Sequence, residues 1–328
     1  MTETALTQHA GIRVPVICGA MYPCSNPELV AAVSEAGAIG IVQPISLSYV
    51  YGYDFRTGLR AIKQLTTQPF GMNVLIEQSS RRYRRHMEQW IEIALEEGVR
   101  FFVTSLGKPD WVVDTVHAAG GVVYHDATER QWGIKGVDCG VDGLIAVNDR
   151  AGGHAGGRNP EQLYQQLHDL GVPVVCAGGV ATEQDFLGAL RLGYVGVQMG
   201  TRFIATEECQ ASELYKHAIL EARADDIVLS ERITGVPVSI IQTAYIKRSG
   251  LKAGALARWM LRGRKTKHLM RSIYALKSLW QLKRASLDES GQHEYWQAGK
   301  SVAGIHSVES AGDIVRRFDL ALENENQN

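Results

Sequence analysis

One histidine in the segment NDRAGGHAGGRNP (148–160), His154, is flanked by glycine and alanine alone. Neighbours that small cannot pack an imidazole, so the ring is free to project from its loop. Its ordinary pKa of about 6.5 suits proton transfer near neutrality. A surface loop without chemistry remains the alternative. A dinucleotide-binding loop does not, because its G-x-G-x-x-G must follow the first strand of the fold, and several apolar runs precede this one. Two more glycine groups end apolar runs: Ala177-Gly178-Gly179 and Met199-Gly200-Thr201. Glycine lets backbone N–H groups approach an anion, and Thr182, as N-cap of a following helix, would add that helix's positive end. Either loop alone could simply turn the chain; both together point to a phosphate site.

These residues are carried by a repeating unit. Apolar, β-branched runs at 14–21, 38–44, 70–76, 99–106, 122–128, 141–148, 172–179 and 194–201 alternate with helix-like stretches. Gly37, Gly98, Gly120, Gly140, Gly171 and Gly193 each sit where a helix must end before the next run. In PELVAAVSEAG, Leu29, Val30, Val33 and Ala36 fall on one helical face. Near-continuous apolar strands alternating with helices indicate a parallel sheet covered on both sides. Eight of them predict an α/β fold of the (β/α)8 TIM-barrel type, with function at the C-terminal strand ends. There the chain places Gly19, Ala20 and Met21, then Asn73, His125 and Asp126, then Asn148, and then the two glycine loops.

Composition narrows the class. The 328 residues suffice for one barrel of roughly 250 plus a smaller addition. A net charge of −1 gives no reason to expect nucleic acid. No apolar run is long enough to span a membrane, and MTETALTQHAG has neither the basic nor the apolar region of a secretory signal. Five cysteines, none in a CxxC pair, read as buried small hydrophobes. The expectation is a cytoplasmic protein. His9, His86, His117, His168 and His217 lie on polar stretches and read as solvated, and no histidine spacing suggests a metal.

From Lys247 to Arg284 there are twelve Lys/Arg and no Asp or Glu, interleaved with apolar residues at spacings of three and four. This predicts amphipathic basic helices, inserted after strand eight and covering the barrel mouth. The expected division is a barrel formed by 1–209 and 303–328, with 210–302 a basic helical substrate-covering unit. Three readings of the basic run stay open: a solvated face, a dock for coenzyme A phosphates or an acidic carrier protein, and an anionic lipid surface. Tyr295 and Lys300, just before the last helix, are expected to reach the pocket. Oligomeric state is left open.

Taken in order, these motifs resemble the nitronate monooxygenase (2-nitropropane dioxygenase) family, which includes FMN-dependent enoyl-carrier-protein reductases. The matching residues are Pro15, Gly19 and Met21, PFGMN (69–73), AGGHAG (151–156), VPVVCAGG (172–179) and QMGTRFIATEEC (198–209). The match continues more sparsely to TG-x-P (234–237) and EYWQAGKSVAG (294–304). The resemblance implies an FMN barrel. In it Gly19, Ala20 and Met21 would contact the isoalloxazine through backbone, and Asn73 and Asn148 would bond its polar edge. Gly178, Gly179, Gly200 and Thr201 would hold the phosphate, with Asp126 and Gly153 also beside the cofactor. His154 would be the acid or base near flavin N5. Two positions depart from the family pattern: Arg150 where many relatives have glutamate before AGGH, and Asp126 where many carry lysine. Each inverts charge close to the flavin.

The function expected is FMN-dependent oxidation of a small acidic carbon substrate with His154 as acid/base. The alternatives are an NAD(P)H-dependent enoyl-thioester reductase or acyl-CoA desaturase at the same site, a phosphosugar lyase or isomerase without flavin, and a non-catalytic carrier. Strand-end lysine is absent, which counts against Schiff-base chemistry. The substrate-side residues expected are His125, Arg150, Tyr295 and Lys300, and the partners a small molecule or a CoA or ACP thioester.

Overall fold

The computed structural model describes residues 3–76, 81–232, 235–252, 279–290 and 294–327. Eight parallel strands form a closed barrel: β1 (Val16–Cys18), β2 (Ile39–Val42), β3 (Gly71–Leu75), β4 (Phe101–Ser105), β5 (Val122–Ala127), β6 (Gly143–Val147), β7 (Val174–Ala177) and β8 (Val197–Met199). Each pairs with the next, and β8 closes on β1 with Ile17 opposite Gln198. All eight fall inside the runs expected from sequence. All six helix-ending glycines have positive φ.

Strand alternation divides the core in two. Ile17, Ile39, Ile41, Phe101, Val103, Tyr124, Ile145, Val175 and Ala177 fill the barrel interior. Their neighbours Cys18, Val42, Met72, Phe102, Val123, Leu144, Val174 and Val197 face outward to the helices. Leu6 and Ala10 of α1 (Ala5–Ala10) join the interior cluster and plug its lower end. Around the outside run α2 (Pro27–Glu35), α3 (Phe55–Leu65), α4 (Arg81–Glu96), α5 (Asp110–Ala118), α6 (Arg130–Val137), α7 (Pro160–Leu167) and α8 (Glu183–Arg191). The expected face of α2 is buried: Leu29, Val30, Val33 and Ala36 all belong to the outer core. After β8 come α9 (Thr201–Ile204), α10 (Glu213–Glu221) and α11 (Ala244–Ser249). The last helix, α12 (Ala311–Gln327), returns to the barrel as expected and packs on α2 and α8, where Phe318 stacks on Phe186 at 5.1 Å.

The segment 210–302 is not helical alone. It holds an antiparallel pair, β9 (Ile227–Ser230) and β10 (Val238–Ile241). β10 also bridges to Gly153 through Ser239 and to Gln297 through Ile240, so it reaches the His154 loop directly. Most of the basic run, 253–278, lies outside the described residues; its described ends are α11 and the helical residues 279–287. Among the described residues no helix is long and apolar enough to cross a membrane.

Candidate active site

The C-terminal strand ends bring most of the expected residues to one mouth. On β3, β4 and β5 three inward side chains form a chain: Asn73 Nδ2 donates to Ser105 Oγ at 3.3 Å, and Ser105 Oγ donates to Asp126 Oδ2 at 2.6 Å. Asn73 also donates to the Val103 carbonyl at 3.2 Å. The second carboxyl oxygen of Asp126 is buried without a partner among the described residues. Burial raises this carboxyl's pKa to about 6, against the opposing pull of the Ser105 hydrogen bond. Across the barrel, Gln198 of β8 also points inward, beside Gly19, and its Oε1 is buried and unpartnered. Sequence reading passed over Ser105 and Gln198. Both could have been found by parity, since they share the inward phase of Val103 and Ile17.

Parity also corrects an expectation. His125 does not line the mouth, because it alternates with the inward Tyr124 and Asp126. It is buried behind β5 against α6, with Nδ1 2.8 Å from Thr104 Oγ1. Burial, with the Lys135 charge nearby, drives its pKa down to about 4, so it is neutral at physiological pH. Tyr295 is buried among Val238, Ile240, Ile246 and Leu282, in the layer built on β10.

The loops after β6 and β7 are knotted by Asn148. Its Nδ2 donates to the Gly178 carbonyl at 2.9 Å, and its Oδ1 accepts from the Arg150 amide at 2.8 Å. The side chain expected at a flavin edge therefore also holds two loops together. Gly178 and Gly179 have φ of +114° and +82°, and their faces are occupied: a Cβ would lie 2.5 Å from Asn148 Oδ1 and 2.7 Å from Arg150 Cδ, respectively. The amides of Gly179 and Val180 make no hydrogen bond among the described residues. The helix end beyond them offers less than its position suggests. Thr182 caps α8 as expected, but Asp185 Oδ2 accepts from the Ala181 and Thr182 amides at 3.1 and 3.0 Å. That carboxylate neutralises the helix's positive end.

The loop after β8 is built differently. Gly200 precedes the short α9, and Thr201 Oγ1 accepts from the Gly299 amide at 3.0 Å. Arg202, 3% exposed, pairs with Glu309 at 2.6 Å and anchors α9 to the segment entering α12. After β1, the Gly19 amide donates to Met199 O, and both backbone groups of Met21 are taken by Ser25. Among the described residues neither the amide nor the carbonyl of Ala20 makes a hydrogen bond.

His154 is exposed and makes no hydrogen bond or ion pair among the described residues. Its loop is fixed from the far side, where the Ser239 amide donates to Gly153 O at 2.7 Å. Partial loss of hydration at the loop holds its pKa below the ordinary imidazole value. Lys300 lies on the neighbouring segment, its amide on Arg150 O at 2.8 Å and its Nζ 3.9 Å from Asp149. A cavity of about 620 Å³ between Thr7, Arg13, Gly37 and Pro69 lies at the opposite end of the barrel and contains no candidate residue. Among the described residues no cluster could hold a metal. All five cysteines are free, and all but Cys139 are fully buried.

Residues 3–318 match the family profile named nitronate monooxygenase. The chain belongs to the nitronate monooxygenase family. Among its relatives, a Rhodococcus jostii protein named (3aS,4S,5R,7aS)-5-hydroxy-7a-methyl-1-oxo-octahydro-1H-indene-4-carboxyl-CoA dehydrogenase is 29% identical, covering 78% of this chain and 71% of that one. A Staphylococcus saprophyticus protein named "Probable nitronate monooxygenase" is 28% identical over 75% of this chain and 80% of its own. The fold is similar to that of FabK from Thermotoga maritima, with a TM-score of 0.81 at 23% identity over 100% of this chain and 98% of the other. Nitroalkane oxidase from Streptomyces ansochromogenes superposes with a TM-score of 0.76 at 21% identity, over 99% of each chain. The family and the oxidoreductases in it make this chain an oxidoreductase enzyme.

Proposed function

We propose that this chain is an FMN-dependent oxidoreductase that removes electrons from an activated carbon acid, with His154 as the base. The observation that carries the reading is the pair of buried, unpartnered acceptors, Asp126 Oδ1 and Gln198 Oε1, facing one mouth below the His154 loop. Leaving such atoms without donors costs about 1–3 kcal/mol each. A bound group carrying N–H and hydroxyl donors, as the flavin ring and ribityl chain do, would satisfy them. The free amides of Gly179 and Val180 suit its phosphate, and the backbone of Ala20 suits the ring. FMN, when bound, supplies a two-electron acceptor that no side chain here provides.

The residues of this chain do the rest. The His154 ring is mostly neutral at pH 7 and can take a proton from the substrate carbon. The Asn73–Ser105–Asp126 chain fixes the polar floor of the site, and β10 holds the His154 loop in place through Gly153. For the substrate we favour a thioester. The relatives named as carboxyl-CoA dehydrogenases support that choice, as does the basic run from Lys247 to Arg284.

The visible spectrum of the purified protein tests the cofactor, and a colourless protein that takes up no added FMN would defeat the reading. Anaerobic mixing of the yellow protein with a nitronate, an acyl-CoA, an enoyl-CoA, NADH and NADPH then identifies the electron donor. Bleaching by the acyl-CoA is expected. Bleaching by a nicotinamide alone would make the enzyme a reductase.

A further inference from the structure

We propose that Arg150 is the cation of the phosphate subsite and gives this enzyme its preference for a phosphorylated flavin over riboflavin. The inference rests on the FMN reading above and names which side chain meets the phosphate.

Three observations carry it. The first is placement: Arg150 Cβ, Cγ and Cδ lie 3.0, 3.4 and 2.7 Å from where a Cβ of Gly179 would stand. The whole aliphatic stem therefore runs along the glycine turn, and the guanidinium, one bond beyond Cδ, stays near it. The backbone that aims the stem is pinned on both sides, its amide on Asn148 Oδ1 and its carbonyl on the Lys300 amide. The second is a vacancy of charge. Arg150 is exposed, and its guanidinium has no carboxylate or hydrogen-bond partner among the described residues. Its neighbour Asp149 is turned toward Lys300.

The third is the state of the helix end. In a phosphate loop after strand seven, the following helix commonly supplies the positive end. Here Asp185 consumes the Ala181 and Thr182 amides, so a dianion at Gly179 would meet two free N–H groups but no net positive helix terminus. A guanidinium over the same turn supplies the missing charge and can bond two phosphate oxygens at once. At the top of β7, burial pushes the Cys176 thiol up to about 12, against the smaller lowering pulls of the Asn148 hydrogen bond and of the Arg150 charge.

The test is the affinity of flavin-free protein for FMN and for riboflavin, read by quenching of flavin fluorescence, in wild type, Arg150→Gln and Arg150→Lys. Losing one charge-assisted contact predicts FMN binding about 10- to 100-fold weaker in Arg150→Gln. Riboflavin binding should be unchanged, and the lysine variant should fall between. Circular dichroism matching wild type shows that the variants fold. An unchanged ratio of FMN to riboflavin affinity overturns the proposal, and so does equal weakening of both, which would make Arg150 a loop-packing residue. If wild type binds neither flavin, the FMN reading has failed. Titration with inorganic phosphate then decides on Arg150 separately: heat of binding that Arg150→Gln abolishes supports the anion site, and its persistence overturns it.

Discussion

The side-chain amide of Asn148 joins the ends of two neighbouring barrel strands, donating to the Gly178 carbonyl at 2.9 Å while accepting from the Arg150 amide at 2.8 Å. One side chain thus ties the His154 loop to the Gly178-Gly179 turn. Asn148 is fully buried, so Asn148→Ala leaves a carbonyl and an amide without partners. The expected loss is about 1–3 kcal/mol in denaturant unfolding. Amide exchange at Arg150 should quicken, because its acceptor is gone. Unchanged exchange there would mean that the loop is held by β10 alone.

Asp126 predicts a pH dependence of the flavin-free protein. Its folded pKa of about 6 lies above the ordinary carboxyl value, so the folded state binds the extra proton between about pH 4 and pH 6. Stability contributed by this group is therefore greatest below pH 4 and falls as pH rises through 6. Asp126→Asn removes the dependence. Relative to wild type, the variant should gain on the order of 2 kcal/mol between pH 4 and pH 7.5 in urea unfolding. A constant difference across that range would place the carboxyl in a wetter site than the structure gives it.

The barrel was legible because its strands had to be apolar on both faces, eight times over, and because six of the helices between them stop at a glycine. The chemistry at the strand ends was legible only where the loop itself was unusual, as at His154 and the paired glycines. His125 and Asp126 are adjacent in sequence, yet the pleat sends one to the helices and the other to the mouth. Composition cannot assign that parity, although the inward Tyr124 and Val103 could have. β9 and β10 were missed because the basic helical pattern beyond them dominated the segment. Val236-Pro237-Val238, bounded by Gly235, carried a strand signal of its own, and with it the layer on which Tyr295 packs. Asn148 and Thr182 stand where the sequence put them, and what it did not show is that Asn148 also ties two loops together and that Asp185 takes the first amides of the helix Thr182 caps.

Arg202 and Glu309 hold the loop after β8 to the last segment of the chain. The guanidinium is buried, and it also donates to the Ser307 carbonyl at 3.2 Å. Glu309 receives Arg317 as well, at 2.9 Å, and this set of partners holds its pKa at about 2 despite burial. A depressed carboxyl contributes stability that is present above about pH 4.3 and is lost as pH falls toward 2. Glu309→Ala strands the Arg202 charge and should cost about 3 kcal/mol, the low end for a broken buried pair because Glu309 is partly exposed. In the variant the acid limb of the stability curve should flatten. Retention of that limb would assign it to other carboxylates.

The ring of His154, the proposed base, has no hydrogen-bond or ion-pair partner among the described residues. Its pKa lies below the ordinary value, so the neutral, proton-accepting form persists to lower pH than a solvated histidine would allow. For oxidation of a carbon acid, kcat/KM should rise with pH through a value below 6.5 and then level off, because a base must be deprotonated to act. His154→Ala should lose that limb and slow the reductive step by about 100- to 10,000-fold, the usual range for a positioned general base. The flavin should stay bound, since no contact of the ring supports the loops that would carry it. If the variant keeps the same acid limb, the titrating group is elsewhere, with Asp126 the next candidate. If it loses the flavin, the histidine belongs to the cofactor site and not to the proton transfer.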